Sequence, residues 1–209
     1  MAKKQPTKKQ SSELTTWLFG IGAVVIFGGV VAGGIYLSIS SGPEKSAAPP
    51  KRTNCSGSPV LKTELPGVVQ SLCEGQQHVD DGVRVTYHTD PPTSGNHWAG
   101  ATPPGFYAPG QNEALLLPER LVHSLEHGNV VIYYDPSVIA ADQQEKLKAL
   151  ARKWPGSWDG VVVLPRTDAA NPLIATAWEY TLKLKSWDED QVNNFVREFA
   201  GRGPENPMR

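Results

Sequence analysis

The chain carries little sulfur and almost no net charge. Its only methionines are Met1 and Met208, so it offers no thioether cluster for soft copper(I), and its two cysteines, Cys55 and Cys73, lack the C-x-x-C spacing of a thiolate zinc site. The 20 basic side chains are balanced by 21 acidic ones. Nothing in that balance points to nucleic acid as a partner. No G-x-S-x-G elbow surrounds Ser94 or Ser124, and no glycine-rich loop leads into a helix with a lysine. Serine hydrolysis and nucleotide phosphate binding are set aside on those grounds.

Long hydrophobic runs are absent except for one. Trp17 to Ile39 contains 23 residues without a charge, which as a helix is about 34 Å long and spans a bilayer core with some tilt. The four lysines before it, Lys3, Lys4, Lys8 and Lys9, orient the N-terminus to the cytoplasm, while Lys45, Lys51 and Arg52 on the far side vote the other way. The expected organisation is a basic cytoplasmic tail at 1–13, a single-pass anchor at 14–40 and a flexible proline-bearing linker at 41–53. An extracytoplasmic domain follows at 54–209. The membrane is the one partner this reading names, through residues 17–39, and a protein partner is not identified. In an oxidising compartment an even pair of cysteines most simply forms one disulfide, Cys55 to Cys73.

Within that domain the pattern alternates between strands and about three helices, predicting an α+β fold, with α/β as the alternative. A strand is expected after the Asp80-Asp81-Gly82 turn, with Val83, Val85 and Tyr87 on one face. A helix opens at Ser137 or Asp142 and runs to Lys153. Strands are expected at 160–165 and, as a single element, at 173–180. An amphipathic helix covers 187–200, with Val192, Phe195, Val196 and Phe199 inward.

The stretch on which the chemistry converges is Leu117 to Tyr134, LPERLVHSLEHGNVVIYY. Pro118 suits the first turn of a helix and Gly128 the residue just past its end. Residues four apart share a face, so His123 and His127 can meet at one point, while Leu117, Leu121 and Leu125 point nearly away from them. H-x-x-E-H is also the inverted zincin signature, in which the glutamate acts on a metal-bound water. Upstream, YHTDPPTSGNHW from Tyr87 to Trp98 packs prolines, a glycine and small polar residues between aromatics, which describes a rigid loop that ends by presenting His97.

Three motifs together carry a resemblance: Y-x-T-D-P-P-T-S-G-x-H from Tyr87, G-x-Y at Gly105 to Tyr107, and L-V-H-S-L-E-H-G-x-V-V-I-x-Y from Leu121. With them go His78 upstream and the Gly203-Pro204-Glu205-Asn206 ending. Over roughly residues 55 to 205 the chain resembles the bacterial domain-of-unknown-function family numbered 3105, whose members commonly have a single membrane anchor before the domain. The resemblance implies no settled activity. By it His78, His97, His123 and His127 stand at motif positions and His88 at a permissive one.

Three functional readings follow. In the first, His123 and His127 converge with His97 on a zinc or copper ion, with His78 as fourth ligand or behind them, because imidazole donors suit those metals. In the second, the domain is a non-catalytic envelope module that binds a partner, and its histidines hydrogen-bond the scaffold without a metal. In the third, a metal-dependent hydrolase, Glu126 is the general base and a downstream acid completes the ligand set, for which Glu179, Glu189 and Asp190 are the candidates. The first is preferred, without a commitment to catalysis.

Overall fold

Alternation along two β-strands decides the architecture. Valines, isoleucine and tyrosines fill the run at 130–134, and every second side chain faces the same way, so both faces of this strand must be covered. In the computed structural model they are: all five residues are buried. The structure describes residues 46–47, 55, 63–168, 170–205 and 207–208, which belong to one compact unit spanning 45–209. The expected cytoplasmic tail, the span at 17–39 and most of the linker lie outside the described residues. Among those described, no helix is long and apolar enough to cross a membrane.

The elements in chain order are β1 (Ser46–Ala47), β2 (Val68–Gln70), β3 (His78–Val79), β4 (Arg84–Val85), β5 (His97–Trp98) and β6 (Gly105–Phe106). There follow α1 (Pro118–Glu126), β7 (Val130–Tyr134), α2 (Ala141–Lys153), β8 (Val161–Pro165), β9 (Leu173–Ala177), β10 (Tyr180–Leu184) and α3 (Glu189–Phe199). A mixed six-stranded sheet has the order β2-β10-β9-β7-β8-β6. Strands β6, β8 and β7 run parallel, and β9, β10 and β2 continue antiparallel. The parallel neighbours β7 and β8 are joined through α2, the long crossover that parallel pairing requires. The domain is α+β, with a six-stranded sheet and three α-helices.

One face of the sheet, through Val130, Ile132, Tyr134, Val161, Val163, Ala175 and Leu182, packs on Leu147 and Leu150 of α2 and Val192, Phe195, Val196 and Phe199 of α3. The other face, through Val131, Tyr133, Val162, Leu164 and Ile174, packs on Leu121, Val122 and Leu125 of α1 with Tyr107, Trp178 and Cys73. The leucine ladder of α1 thus seats on the sheet and turns the histidine side outward. That side is also covered: His123, Ser124 and Glu126 are buried against β5 and the chain after it, with His123 Nδ1 on the Trp98 carbonyl, Ser124 Oγ bonded to the Thr102 backbone and Glu126 beside His97.

Three local outcomes differ from the sequence pattern. The stretch expected as one strand at 173–180 is a hairpin, in which Trp178 and Glu179 turn the chain and Glu179 takes φ 67. A hydrophobic run cannot by itself say where it folds back when both arms are buried. The strand expected after Gly82 is reduced to Arg84–Val85, paired with Ser46–Ala47 inside the expected linker. Helix α2 begins at Ala141, with the Gln143 side chain accepting from the Ala140 backbone N–H, while Ser137 is held two residues back by Asp135.

The disulfide joins Cys55 to Cys73 with their Cα atoms 5.6 Å apart. Beyond it, the segment from Glu74 runs alongside the rigid loop. The fully buried Glu74 carboxylate accepts from the backbone N–H groups of His88 and Thr89 and from the Thr89 hydroxyl, while the Glu74 N–H donates to Ser94 Oγ. Three contacts on this side chain and one on its backbone N–H make this loop rigid without regular structure. Gly95 is required within it, since its φ is 134° and a Cβ there would lie 2.6 Å from the Tyr87 ring.

Candidate metal centre

His78 and His97 are brought together by a two-residue parallel ladder. Strand β3 pairs with β5 in the register His78 to His97, and His97 N–H donates to the Gln77 carbonyl. Residues in register on neighbouring strands project to the same side, so the two imidazoles stand side by side with centroids 5.0 Å apart. Helix α1 lies against β5 and adds His123, whose centroid is 4.8 Å from that of His78 and 4.9 Å from that of His97.

Hydrogen bonds settle which nitrogens face inward. His97 Nδ1 lies 2.7 Å from the Gly95 carbonyl oxygen, and His123 Nδ1 lies 2.7 Å from that of Trp98. A carbonyl only accepts, so in both rings Nδ1 carries the proton and Nε2 is left with a lone pair when the ring is neutral. His123 is held neutral: burial, reinforced by the neighbouring His97 and His127 rings, pushes its pKa down to about 4. A carbonyl behind each ring in this way is what orients imidazoles toward a metal.

Glu126, one turn along from His123, closes the group. Its Oε2 is 2.9 Å from His97 Nε2, yet that buried nitrogen has no hydrogen-bond partner among the described residues. One ligand atom from each of His78, His97, His123 and Glu126 lies within 4.8 Å of all the others. A second group overlaps it through His123. His127 Nε2 is 3.1 Å and His123 Nε2 3.9 Å from Glu205 Oε2, and His127 stacks on Trp158 at 4.0 Å.

Glu205 is the residue that sequence reasoning did not single out. It reaches α1 because the chain after α3 packs backbone against backbone on the helix end. Gly201 N–H donates to the Gly128 carbonyl and Glu205 N–H to the Glu126 carbonyl. A Cβ on Gly203 would overlap both the Glu126 carbonyl oxygen and the Gly128 nitrogen. The only available signal was the Gly203-Pro204-Glu205 ending, an acid directly after a glycine and a proline.

The acids considered downstream of H-x-x-E-H lie elsewhere. Glu179 is buried beside the disulfide, its carboxylate 3.5 Å from Gln70 Nε2. Glu189 pairs with Lys146 and Asp190 lies exposed in the first turn of α3. Of the five histidines, only His88 stands apart, with Nδ1 3.1 Å from Glu74.

A family profile described as "Protein of unknown function (DUF3105)" matches residues 78–209. The chain belongs to this family. The matched region opens at His78 rather than near residue 55, so it contains His78, His97, His123, Glu126, His127 and Glu205 and leaves the disulfide outside. No curated protein and no solved structure matches.

The histidine set fits a metal ion by a simple test. Three imidazoles bound at about 2.0–2.1 Å with tetrahedral angles place their ring centroids about 5 Å apart. The three observed separations, 4.8, 4.9 and 5.0 Å, form that triangle. Glu126 is placed to offer a fourth donor, a carboxylate that would offset one of a dication's two charges.

Proposed function

We propose that this domain binds one zinc or copper(II) ion through His78, His97 and His123, with Glu126 as the fourth donor, and that the chain displays this centre outside the cytoplasmic membrane on an N-terminal anchor. The observation that carries the reading is the near-equilateral imidazole triangle with Nδ1 of His97 and of His123 tied back to a carbonyl. Imidazole and carboxylate donors without thiolate or thioether select zinc or copper(II) over copper(I). The anchor reading rests on the uncharged run at 17–39, and the Cys55–Cys73 disulfide is consistent with an oxidising compartment. The alternative, a metal-free scaffold of satisfied histidines, leaves His97 Nε2 buried without a hydrogen bond among the described residues, which costs about 1–3 kcal/mol.

A second reading is favoured by one specific contact. Glu205 beside His123 and His127 supplies the acid that H-x-x-E-H needs for hydrolysis. In that arrangement Glu126 would serve as the base. The two readings separate by mutation.

The deciding experiment is elemental analysis of the full-length chain purified without a polyhistidine tag. One equivalent of zinc or copper is expected, lost in His97→Ala and in His123→Ala. Absence of metal in the wild-type chain, and none taken up on titration, would refute the proposal. Hydrolytic turnover abolished by Glu126→Gln with metal retained would make the second reading the right one.

A further inference from the structure

The two overlapping ligand groups share a single atom. His123 Nδ1 is committed to the Trp98 carbonyl, so only Nε2 can bind a metal, and it can bind one ion at a time. The inner group of His78, His97, His123 and Glu126 and the outer group of His123, His127 and Glu205 therefore cannot both be complete. They also differ in access. Side-chain exposure is 0 % at His97, 5 % at His123 and 9 % at Glu126 against 17 % at His127 and 42 % at Glu205, while His78, the remaining inner donor, is exposed.

We propose that His127 and Glu205 form an outer docking position for the same divalent ion, which passes to and from the inner donors by way of His123. This inference rests on the metal-binding reading above and assigns its exchange route. The partly exposed Glu205 carboxylate attracts a hydrated cation and can replace one of its waters. His127, held by its stack on Trp158, adds one imidazole. Transfer inward exchanges these two donors for His97, His78 and Glu126, with His123 attached throughout. The same exchange in reverse presents the ion at the surface, where a donor from another molecule can displace Glu205. The protein is in this respect built to hand its ion on.

The test is stopped-flow zinc exchange with a chromophoric chelator on the full-length chain, comparing wild type, Glu205→Gln and His97→Ala, with equilibrium zinc affinity and metal-free melting temperature measured alongside. The expected result is one equivalent of zinc in the wild type, and in Glu205→Gln an uptake and a release that both slow about tenfold, so that the dissociation constant moves by no more than about threefold. His97→Ala should weaken equilibrium binding by about 10- to 100-fold or more. Unchanged rates in Glu205→Gln would overturn the proposal by showing that zinc enters beside the exposed His78. A loss of affinity as large as in His97→Ala would overturn it by making Glu205 a resident ligand, and two independent equivalents would overturn it by separating the groups. A wild-type chain that binds no zinc or copper refutes the underlying metal reading as well, and is distinguished by the titration alone.

Discussion

Nε2 of His97 lies 2.9 Å from Oε2 of Glu126 and makes no hydrogen bond to it among the described residues. The other nitrogen of His97 donates to the Gly95 carbonyl, so at a pH where that ring is neutral a lone pair faces a carboxylate, an unfavourable pairing that a proton or a metal cation between them relieves. Glu126→Gln is therefore expected to act in opposite senses on the two forms of the protein. The metal-free variant should be more stable by about 1 kcal/mol, since the amide can donate to Nε2. Metal affinity should fall at the same time. Thermal melts in chelator and in zinc check both signs, and a stabilised variant that also binds zinc normally would contradict this account.

The protonation of His123 predicts how the metal-free protein responds to acid. Burial, helped by the adjacent imidazoles, holds its pKa at about 4, below the ordinary histidine value of about 6.5. The unfolded chain then binds more protons than the folded one between those two values. Stability from this group is full above about pH 6.5, is lost as pH falls toward about 4, and is flat below, a change on the order of 3 kcal/mol. Urea melts in chelator should follow that slope, and His123→Gln should flatten it.

Gly95 bears on both fold and site. At φ 134 and with a Cβ position 2.6 Å from the Tyr87 ring, Gly95→Ala must move the segment whose carbonyl orients His97. A loss of about 2 kcal/mol or more is expected. Metal binding should weaken together with it. Calorimetry with metal titration tests the pair, and a variant that melts like wild type would show that the loop adapts.

The disulfide closes the loop between Cys55 and Cys73, a separation of 18 residues. In the chain-entropy account a loop of that length contributes about 3 kcal/mol. The Cys55→Ser/Cys73→Ser double variant is expected to lose roughly that amount in denaturant titration, with its zinc stoichiometry intact, because the donors lie outside the closed loop.

How much of this was legible varies by element, and the reasons are physical. Helix α1 and strands β7 and β8 were readable because hydrophobic period, Pro118 and Gly128 are local signals acting within a few residues. The pairing of Cys55 with Cys73 was readable because no other cysteine competes. Strands β3 and β5 were not, since two residues carry no periodicity and are extended only because each finds the other. The hairpin at Trp178 and Glu179 was missed because both of its arms are apolar.

For the centre itself, residue identity alone says which side chains can donate to a metal and helical spacing alone puts His123, Glu126 and His127 together, because that spacing is set by covalent geometry and backbone hydrogen bonding. The grouping came from the folded domain: His78 beside His97 through strand register, Glu126 turned to His97, and Glu205 folded back onto His127 through the close approach of Gly128 and Gly203. Those neighbours are far apart along the chain, and contacts of that kind come from packing of the whole domain, which no local pattern encodes.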